Sequence, residues 1–225
     1  ADVPLKPLLG SKYLTRRRAM IDPQHASAQV SPGDPLKRAA HADTVYISAV
    51  GGDGLAVSFI NSLFHSFGAG IVVPGTGICL HNRAALFSLN PDHPNAVAPH
   101  KRPYHTIIPA LLFEGDDLRL CFGVMGGFMQ PQGQVQVVCN VVDFNMDPQQ
   151  ALDAPRFRWL EGNSVAVEPG FDDATLADLQ QRGHTLALNA EAQDFGGGQI
   201  IAVESETGTL TGASEPRKDG MAVGY

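Results

Sequence analysis

Residues 41–62 of the chain read HADTVYISAVGGDGLAVSFINS. Apolar side chains alternate over residues 45–50, a Gly-Gly-Asp-Gly segment follows, and a second apolar run occupies residues 55–60. Alternation of period two on both sides of a glycine-rich turn predicts a β-hairpin. Thr44 stands at the first position of the first strand, directly behind a polar segment. This placement raises the question of whether its hydroxyl has a chemical role.

The composition is that of a globular protein. Of the 225 residues, 44% are hydrophobic and 17% are charged, and this length allows one substantial core or two small domains. The formal net charge is −7, and no stripe of Lys and Arg alternates with aromatic residues, so we expect no nucleic-acid partner. No apolar run reaches the roughly 20 residues of a membrane helix, so we expect this segment not to span a membrane.

Cysteines and histidines form no recognisable ligand motif. The three cysteines are widely spaced, without a C-x-x-C pair, which indicates buried thiols instead of a disulfide framework or a metal site. His93, His100 and His105 fall in one loop, where solvated side chains are a more common explanation than metal ligands. We expect neither a metal nor another cofactor.

The amino-acid composition and the predicted secondary structure change near Thr44. Residues 1–43 are rich in Pro, Lys and Arg, with one helix predicted over residues 11–21 and loop chemistry after it. The elements predicted after the hairpin are strands at 71–80, 105–113 and 118–125, a helix after Gly126-Gly127, a helix starting at Pro148 with Asp147 as its N-cap, a strand at 164–170, a helix at 172–184, a strand at 185–190 and a hairpin at 196–216. Antiparallel hairpins with clustered helices predict an α+β layered domain.

The common catalytic templates are absent, which leaves Thr44 and the pair Gly126-Gly127. A threonine hydroxyl becomes an effective nucleophile when the threonine is the first residue of a chain, because its own α-amine then acts as the base. That amine has a pKa of about 7.7–8.0, and forming it requires cleavage of the Asp43–Thr44 bond. Backbone N–H groups of the glycine turn would stabilise the developing oxyanion. From spacing alone, a purely structural threonine remains the more common case.

Six segments, in this order, resemble γ-glutamyltranspeptidases and their cephalosporin-acylase-like relatives. They are DTVYISAVGGDGLAVSFINSLF, FGAGIVVPGTGICLHNR, NAVAPHKRPYHTIIPAL, FGVMGGFMQPQ, VVDFNMDPQQALDAPRF and GASEPRKDGMAVGY. The resemblance implies an N-terminal-nucleophile hydrolase with an αββα sandwich, made as a proenzyme that cleaves itself into two subunits. Residues 1–43 would then be the tail of the large subunit, a linker on the propeptide side. Residues 44–225 would form the small-subunit domain, one half of the sandwich.

The resemblance also implies catalytic roles for four residues. Thr44 matches the nucleophile that becomes the first residue of the small subunit, which makes Asp43–Thr44 the cleavage site. Gly126 and Gly127 match the glycine pair whose N–H groups form the oxyanion hole. Ser62 falls where the family has a hydroxyl residue that hydrogen-bonds near the nucleophile and assists maturation.

Among the positions that bind substrate in this family, some are matched here and others are substituted. His105 and Thr106 occupy the positions of two serines that hold the substrate α-carboxylate, and Asn82 matches the second asparagine of the motif written here as HNR. Leu86 stands where glutamyl enzymes have an acid for the substrate amine, and Phe64 replaces an asparagine that contacts substrate. Recognition of a glutamyl group is therefore in doubt, although the nucleophile and the oxyanion donors are retained.

Arg83 leaves two interpretations open. Its guanidinium has the geometry to pair with a substrate carboxylate, which would make it a substrate-binding residue. Alternatively, it forms a structural ion pair with an acid such as Asp92.

The sequence therefore predicts an autocatalytically processed enzyme that forms a threonyl acyl-enzyme. The acyl group would be γ-glutamyl or a related dicarboxylic acyl group, transferred to water or to an amine. The implied partner is the large subunit of the same precursor. The alternative is a catalytically silent relative that acts as a binding or scaffold protein. The compartment stays open between the bacterial cytoplasm and periplasm.

Overall fold

The computed structural model describes residues 5–28, 42–188 and 191–225. Residues 29–41, which belong to the predicted large-subunit tail, lie outside the described part. The strands are β1 (Ala42–Val50), β2 (Ala56–His65), β3 (Ala110–Glu114), β4 (Asp117–Met125), β5 (Phe157–Glu161), β6 (Ser164–Val167), β7 (Thr185–Ala187), β8 (Gly197–Val203) and β9 (Leu210–Ser214). The α-helices are α1 (Leu5–Leu9), α2 (Ser11–Arg18), α3 (Met129–Val142), α4 (Pro148–Asp153) and α5 (Asp173–Gln181). None of the helices in these ranges combines the length and the apolar character that crossing a bilayer requires.

The predicted hairpin is β1 and β2. The two strands pair antiparallel through residues 42–65, and the turn closes with a hydrogen bond of 2.9 Å from the Gly51 N–H to the Leu55 carbonyl. Thr44 and Tyr46 are buried, whereas the alternate side chains Val45 and Ile47 are about half exposed. The alternation that predicted the hairpin therefore also gives it two different faces.

The main core lies between the four-stranded sheet β3-β4-β8-β9 and helices α3 and α4. Every second residue of β4 points to the helices, and the buried cluster consists of Leu120, Phe122, Val124, Val137, Leu152, Ile200 and Ala213. Gly133 of α3 lets the helix approach closely, since a Cβ there would lie 2.8 Å from Val124 Cγ1. Burial of each large apolar side chain contributes about 1.5–3 kcal/mol.

The opposite face of β4 packs on the β1–β2 hairpin. Gly123 provides the space, because a Cβ at this position would lie only 2.5 Å from the Tyr46 ring. The Ser58 hydroxyl donates to the Phe122 carbonyl, and the Cys121 thiol donates to the Val57 carbonyl, both at 3.3 Å. Helices, a four-stranded sheet and a two-stranded sheet thus follow one another as three successive layers.

A third sheet, β5-β6-β7, differs from what the sequence predicted. Strand β5 was not predicted, and β6 and β7 pair parallel, although antiparallel hairpins were expected. The strand pair predicted at residues 71–80 forms only as a short antiparallel pairing. A single bridge joins Val72 and Cys79, and backbone hydrogen bonds flank it, from the Leu80 N–H to the Ile71 carbonyl and from the Val73 N–H to the Ile78 carbonyl, both at 2.9 Å. The N-cap prediction for α4 is confirmed, because Asp147 accepts from the Gln149 N–H in a full capping box.

Four charged side chains are buried together where α4, β6 and β9 meet. Arg156 and Glu215 form an ion pair of 2.8 Å with side chains 1% and 0% exposed, and Arg217 pairs with both Glu215 and Glu168. Burial lowers the pKa of Arg217, but its hydrogen bonds to the two carboxylates outweigh this, and the net pKa is raised. For Arg156, burial dominates and the pKa is lowered. Glu215 Oε2 also accepts a hydrogen bond of 2.7 Å from the Gly198 N–H, which links the cluster to the start of β8.

Candidate active site

Thr44 lies near the start of β1 with 5% of its surface exposed. The pairing of β1 with β2 is irregular at this point: Asp43 lies opposite Phe64 and Thr44 opposite Ser62, so the register shifts between two consecutive residues. Phe64 has a φ of 77°, a region that a bulky side chain rarely adopts. The Asp43–Thr44 bond predicted to be cleaved therefore lies at a distortion of the hairpin.

Ser62 connects Thr44 to Arg83. The Thr44 and Ser62 hydroxyl oxygens are 2.9 Å apart, and either can be the donor in the hydrogen bond between them. Ser62 Oγ also accepts from Arg83 Nη2 at 2.7 Å and from the Phe64 N–H at 3.0 Å. Two N–H donors, one of them cationic, thus polarise the hydroxyl that touches the Thr44 hydroxyl.

The guanidinium of Arg83 is buried, with 6% of the residue exposed, and burial lowers its pKa. Its carbon Cζ lies 5.1 Å from the centre of the Phe64 ring, a favourable cation–π distance. Nη1 is buried and has no hydrogen-bond partner. Within the described ranges, Asp92 forms no ion pair with Arg83; it is exposed instead, with its N–H bonded to Asn90. The structural pair that was one of the two interpretations is therefore not present.

The Gly126-Gly127 turn joins β4 to α3. Both residues have positive φ, 136° and 57°, which glycine adopts without strain. Their carbonyls accept hydrogen bonds from the N–H groups of Met129 and Gln130, the first two residues of α3. In residues 5–28, 42–188 and 191–225, no acceptor takes a hydrogen bond from the N–H of either glycine. Two backbone donors at a helix N-terminus are therefore available for an oxyanion.

The packing of β2 on β4 brings Ser62 and this turn to the same end of the molecule. Where the two strands touch, Val57 contacts Cys121 and Ser58 contacts Phe122, so they run in the same direction. Four residues beyond Ser58 and Phe122 lie Ser62 and Gly126. Because Thr44 pairs with Ser62, the nucleophile candidate and the oxyanion donors are carried to one edge of the two facing sheets.

The two predicted substrate residues before β3 have different environments. Thr106 is almost fully buried, and its hydroxyl has no hydrogen-bond partner, whereas His105 is exposed. The neighbouring Tyr104 ring lies parallel to the ring of Phe128, with centroids 6.5 Å apart. The loop therefore lies against the glycine turn.

Asn82 supports the end of β2. Its Oδ1 accepts from the His65 N–H at 3.0 Å, and its Nδ2 lies 2.9 Å from His65 Nδ1. Both polar atoms of the side chain are thus engaged by one residue. In this structure the Asn82 side chain holds the strand end beside Phe64 and Arg83.

Sequence reasoning missed the environment of Phe64 and the buried charge cluster. Phe64 was noted only as a missing asparagine, but its strained backbone and its ring shape the surroundings of Arg83. The buried charge cluster was not predicted, although the segments DAPRF and ASEPR supply Arg156, Glu215 and Arg217; charged residues next to proline inside apolar segments were the available signal. In the described part of the chain, no group of three or more His, Cys, Asp or Glu side chains is arranged to hold a metal ion.

Comparison with known proteins gives consistent matches over the whole chain. The family model described as Gamma-glutamyltranspeptidase matches residues 1–225. The oxamate amidohydrolase proenzyme of Klebsiella pneumoniae is 36% identical and the glutathione hydrolase-like YwrD proenzyme of Bacillus subtilis is 35% identical, each over 100% of this chain and 42% of the relative. This chain thus spans less than half the length of these relatives.

Two solved structures share the fold. Cephalosporin acylase from Bacillus halodurans superposes with a TM-score of 0.88 at 47% identity, covering 98% of this chain and 39% of that one. Gamma-glutamyltranspeptidase from Pseudomonas nitroreducens, complexed with L-DON, gives a TM-score of 0.71 at 27% identity, covering 80% of this chain and 98% of that one.

Proposed function

The chain belongs to the gamma-glutamyltranspeptidase family and has the α+β fold of N-terminal-nucleophile hydrolases, and from this we propose that it is the catalytic part of a self-processing amidohydrolase. The acyl group is γ-glutamyl or a related dicarboxylic acyl group, passed to water or to an acceptor amine. The observation that carries the proposal is the buried Thr44 hydroxyl bonded to Ser62, which is itself held by a cationic donor.

Maturation begins with the Thr44 hydroxyl. Its oxygen attacks the Asp43 carbonyl carbon, the C–N bond between the two residues breaks, and an ester of Asp43 on Thr44 forms with a free Thr44 amine. Water then hydrolyses the ester. The distorted register at Asp43 and the strained Phe64 opposite support this step, since backbone strain at the junction is relieved when the bond breaks.

In turnover the free Thr44 amine is the general base. It takes the hydroxyl proton as the oxygen attacks the substrate amide carbon, and it gives that proton to the leaving amine. The N–H groups of Gly126 and Gly127 donate to the oxyanion. Water or an amine then attacks the acyl ester on Thr44 and releases the acyl group. Each donor of such a pair raises kcat by roughly 100- to 1,000-fold.

Residues 44–225 are proposed as the small subunit and residues 1–43 as the end of the large one. The solved Pseudomonas nitroreducens chain, matched over 98% of its length, covers 80% of this chain, close to the share of residues 44–225. The large subunit is the proposed partner. The outer face of the β1–β2 hairpin supports this, because its apolar side chains are about half exposed: Val45, Ile47, Val57 and Phe59.

Arg83 and Thr106 are proposed as substrate-binding residues on the basis of their unpartnered buried atoms. Asn82 is proposed to act through His65, as a positioning residue, and His105 to contact substrate from the exposed side of its loop. The relatives act, by their names, on glutathione and on oxamate, so the substrate panel should include amides of both kinds.

The proposal is tested on the complete precursor by mass spectrometry and by hydrolysis of that panel. The expected result is a fragment beginning at Thr44 together with amide hydrolysis. An uncleaved chain without activity would instead favour the rival proposal, a silent relative that binds or scaffolds, which the substitutions Leu86 and Phe64 support.

Ser62→Ala is expected to slow self-cleavage by about tenfold or more, because the Thr44 hydroxyl loses the group that orients it and Arg83 Nη2 loses its acceptor. Ser62→Thr keeps the hydroxyl and should process at a rate near that of the wild type. The measurement is the cleaved fraction against time on a denaturing gel.

Ser58→Ala is the matched control for this substitution. Ser58 lies on the same strand and its hydroxyl also makes interior contacts, to Tyr46 Oη at 2.8 Å and to the Phe122 carbonyl. It should lower stability without changing processing. Equal slowing by both variants would show that Ser62 acts only through the packing of β2.

A further inference from the structure

A buried arginine, for which the described residues supply no counterion, lies beside the proposed nucleophile. Arg83 donates from Nη2 to Ser62 Oγ at 2.7 Å, while Nη1 is buried without a hydrogen-bond partner. No carboxylate of the described residues forms an ion pair with it. Burial of a charge is strongly unfavourable unless an opposite charge accompanies it, so the positive charge of Arg83 is best matched by a bound anion.

The other buried arginines of the same chain show how the fold normally treats such a charge. Arg156 has Glu215 at 2.8 Å, and Arg217 has both Glu215 and Glu168. Arg83 differs from both, since its nearest named contacts are a hydroxyl and the face of Phe64. The missing negative charge is therefore expected from a bound molecule.

We propose that Arg83 binds a carboxylate of the substrate, and that this carboxylate is attached directly to the scissile carbonyl carbon or one or two carbons from it. The favoured substrates are thus monoamides of short dicarboxylic acids. This inference rests on the proposed acyl transfer at Thr44 and specifies the acyl group that the site accepts.

The length limit follows from the position of Ser62. One side of its hydroxyl oxygen contacts Thr44 Oγ1 at 2.9 Å and another contacts Arg83 Nη2 at 2.7 Å, so two hydrogen bonds separate the nucleophile from the cation. The attacked carbon comes within bonding distance of Thr44 Oγ1, and a carboxylate on a short acyl chain then reaches the guanidinium directly. A glutaryl or γ-glutamyl chain would place its carboxylate too far along unless the chain folded back.

The walls of the site also disfavour a glutamyl group. The buried Phe64 ring lies 5.1 Å from the guanidinium carbon of Arg83, and it offers no acceptor to an ammonium group. An α-amino group would therefore lose its hydration without gaining a partner, a penalty that apolar surroundings make severe. A dicarboxylic acyl group without an amine avoids that cost.

The test uses the processed, two-subunit protein and the monoamides of oxalic, malonic, succinic and glutaric acids, with a γ-glutamyl amide for comparison. The expected kcat/KM falls by roughly tenfold or more from the short acids to the glutaric one. Arg83→Met should lower kcat/KM for the shortest good substrate by roughly 100-fold or more. Hydrolysis of the same substrate with its carboxylate esterified should fall by a much smaller factor, which reports only the lost contact between Arg83 and Ser62.

Arg119→Met is the matched control, because Arg119 is a surface arginine paired with Glu114, and its kinetics should equal those of the wild type. If Arg83→Met is not processed, competitive inhibition of the wild type by oxalate, malonate, succinate and glutarate tests the same order. A preference for glutaryl or γ-glutamyl amides, or equal losses on the acid and its ester, would overturn the inference. Hydrolysis of all the amides by Thr44→Ala would instead overturn the proposed function.

Discussion

Thr44→Ala is expected to leave the precursor as a single chain and to lower amide hydrolysis by about four orders of magnitude or more. The alanine removes the oxygen that attacks the Asp43 carbonyl, so the amine that serves as base in turnover never forms. Loss of a nucleophile that works together with its base has effects of this size in other hydrolases. The measurements are the intact mass of the purified protein and its rate on the best amide substrate.

Two variants make this result interpretable. Thr44→Ser keeps a hydroxyl and should retain both cleavage and hydrolysis at reduced rates. Thr185→Ala removes an exposed threonine of β7 and should change neither. A fragment that still begins at residue 44 in the alanine variant, or hydrolysis at the wild-type rate, would exclude Thr44 as the nucleophile.

Glu215→Gln is expected to destabilise the protein by about 3–5 kcal/mol, the usual cost when one partner of a buried ion pair is removed. Arg156 and Arg217 would then share the single carboxylate of Glu168, and both guanidinium groups are almost completely buried. For a protein of this size, about 2–4 °C of melting temperature corresponds to each kcal/mol. The full precursor is longer and shifts less per kcal/mol, so its thermal unfolding should begin several degrees lower.

Asp178→Asn is the matched control for Glu215→Gln, because it removes one charge from an exposed ion pair of 2.7 Å with Arg182. Exposed pairs contribute about 0–1 kcal/mol, so its melting temperature should change little. A small effect of Glu215→Gln would mean that water reaches the cluster. The cluster also affects the site, since Glu215 holds the start of β8 and Gly196 packs directly against Gly126.

Much of the fold followed from local patterns. The alternation in β1 and β2 and the capping residue Asp147 are short-range signals, and each predicted the correct element. The prediction gave too long a strand pair at residues 71–80, where an apolar run enclosed a proline and two glycines, and it missed β5, where Arg158 and Glu161 interrupt the apolar pattern. In both places, strand pairing depends on the neighbouring strand and not on the local sequence pattern.

In the candidate site, too, some residues could be predicted from the sequence and some contacts could not. Thr44, Ser62 and the glycine pair were named from the sequence, and the structure brings Thr44 and Ser62 into contact. The surroundings of Arg83 could not be deduced, because Ser62 and Phe64 are separated from it by about twenty residues and Asp92 was an equally plausible partner. The charge cluster brings together residues 156, 168, 215 and 217, and no local pattern links these positions.

The backbone of Phe64 has a consequence for attempts to redesign this protein. Asparagine suits a φ of 77° better than phenylalanine does, and the strain at such a position is about 1–3 kcal/mol. The Phe64 ring, however, is buried at 3% exposure, and emptying a space of that size costs about 3–5 kcal/mol. Phe64→Asn alone therefore loses more than it gains. A path toward glutamyl recognition would show epistasis: a neighbouring substitution that fills the vacated volume must come first or arrive together with the asparagine.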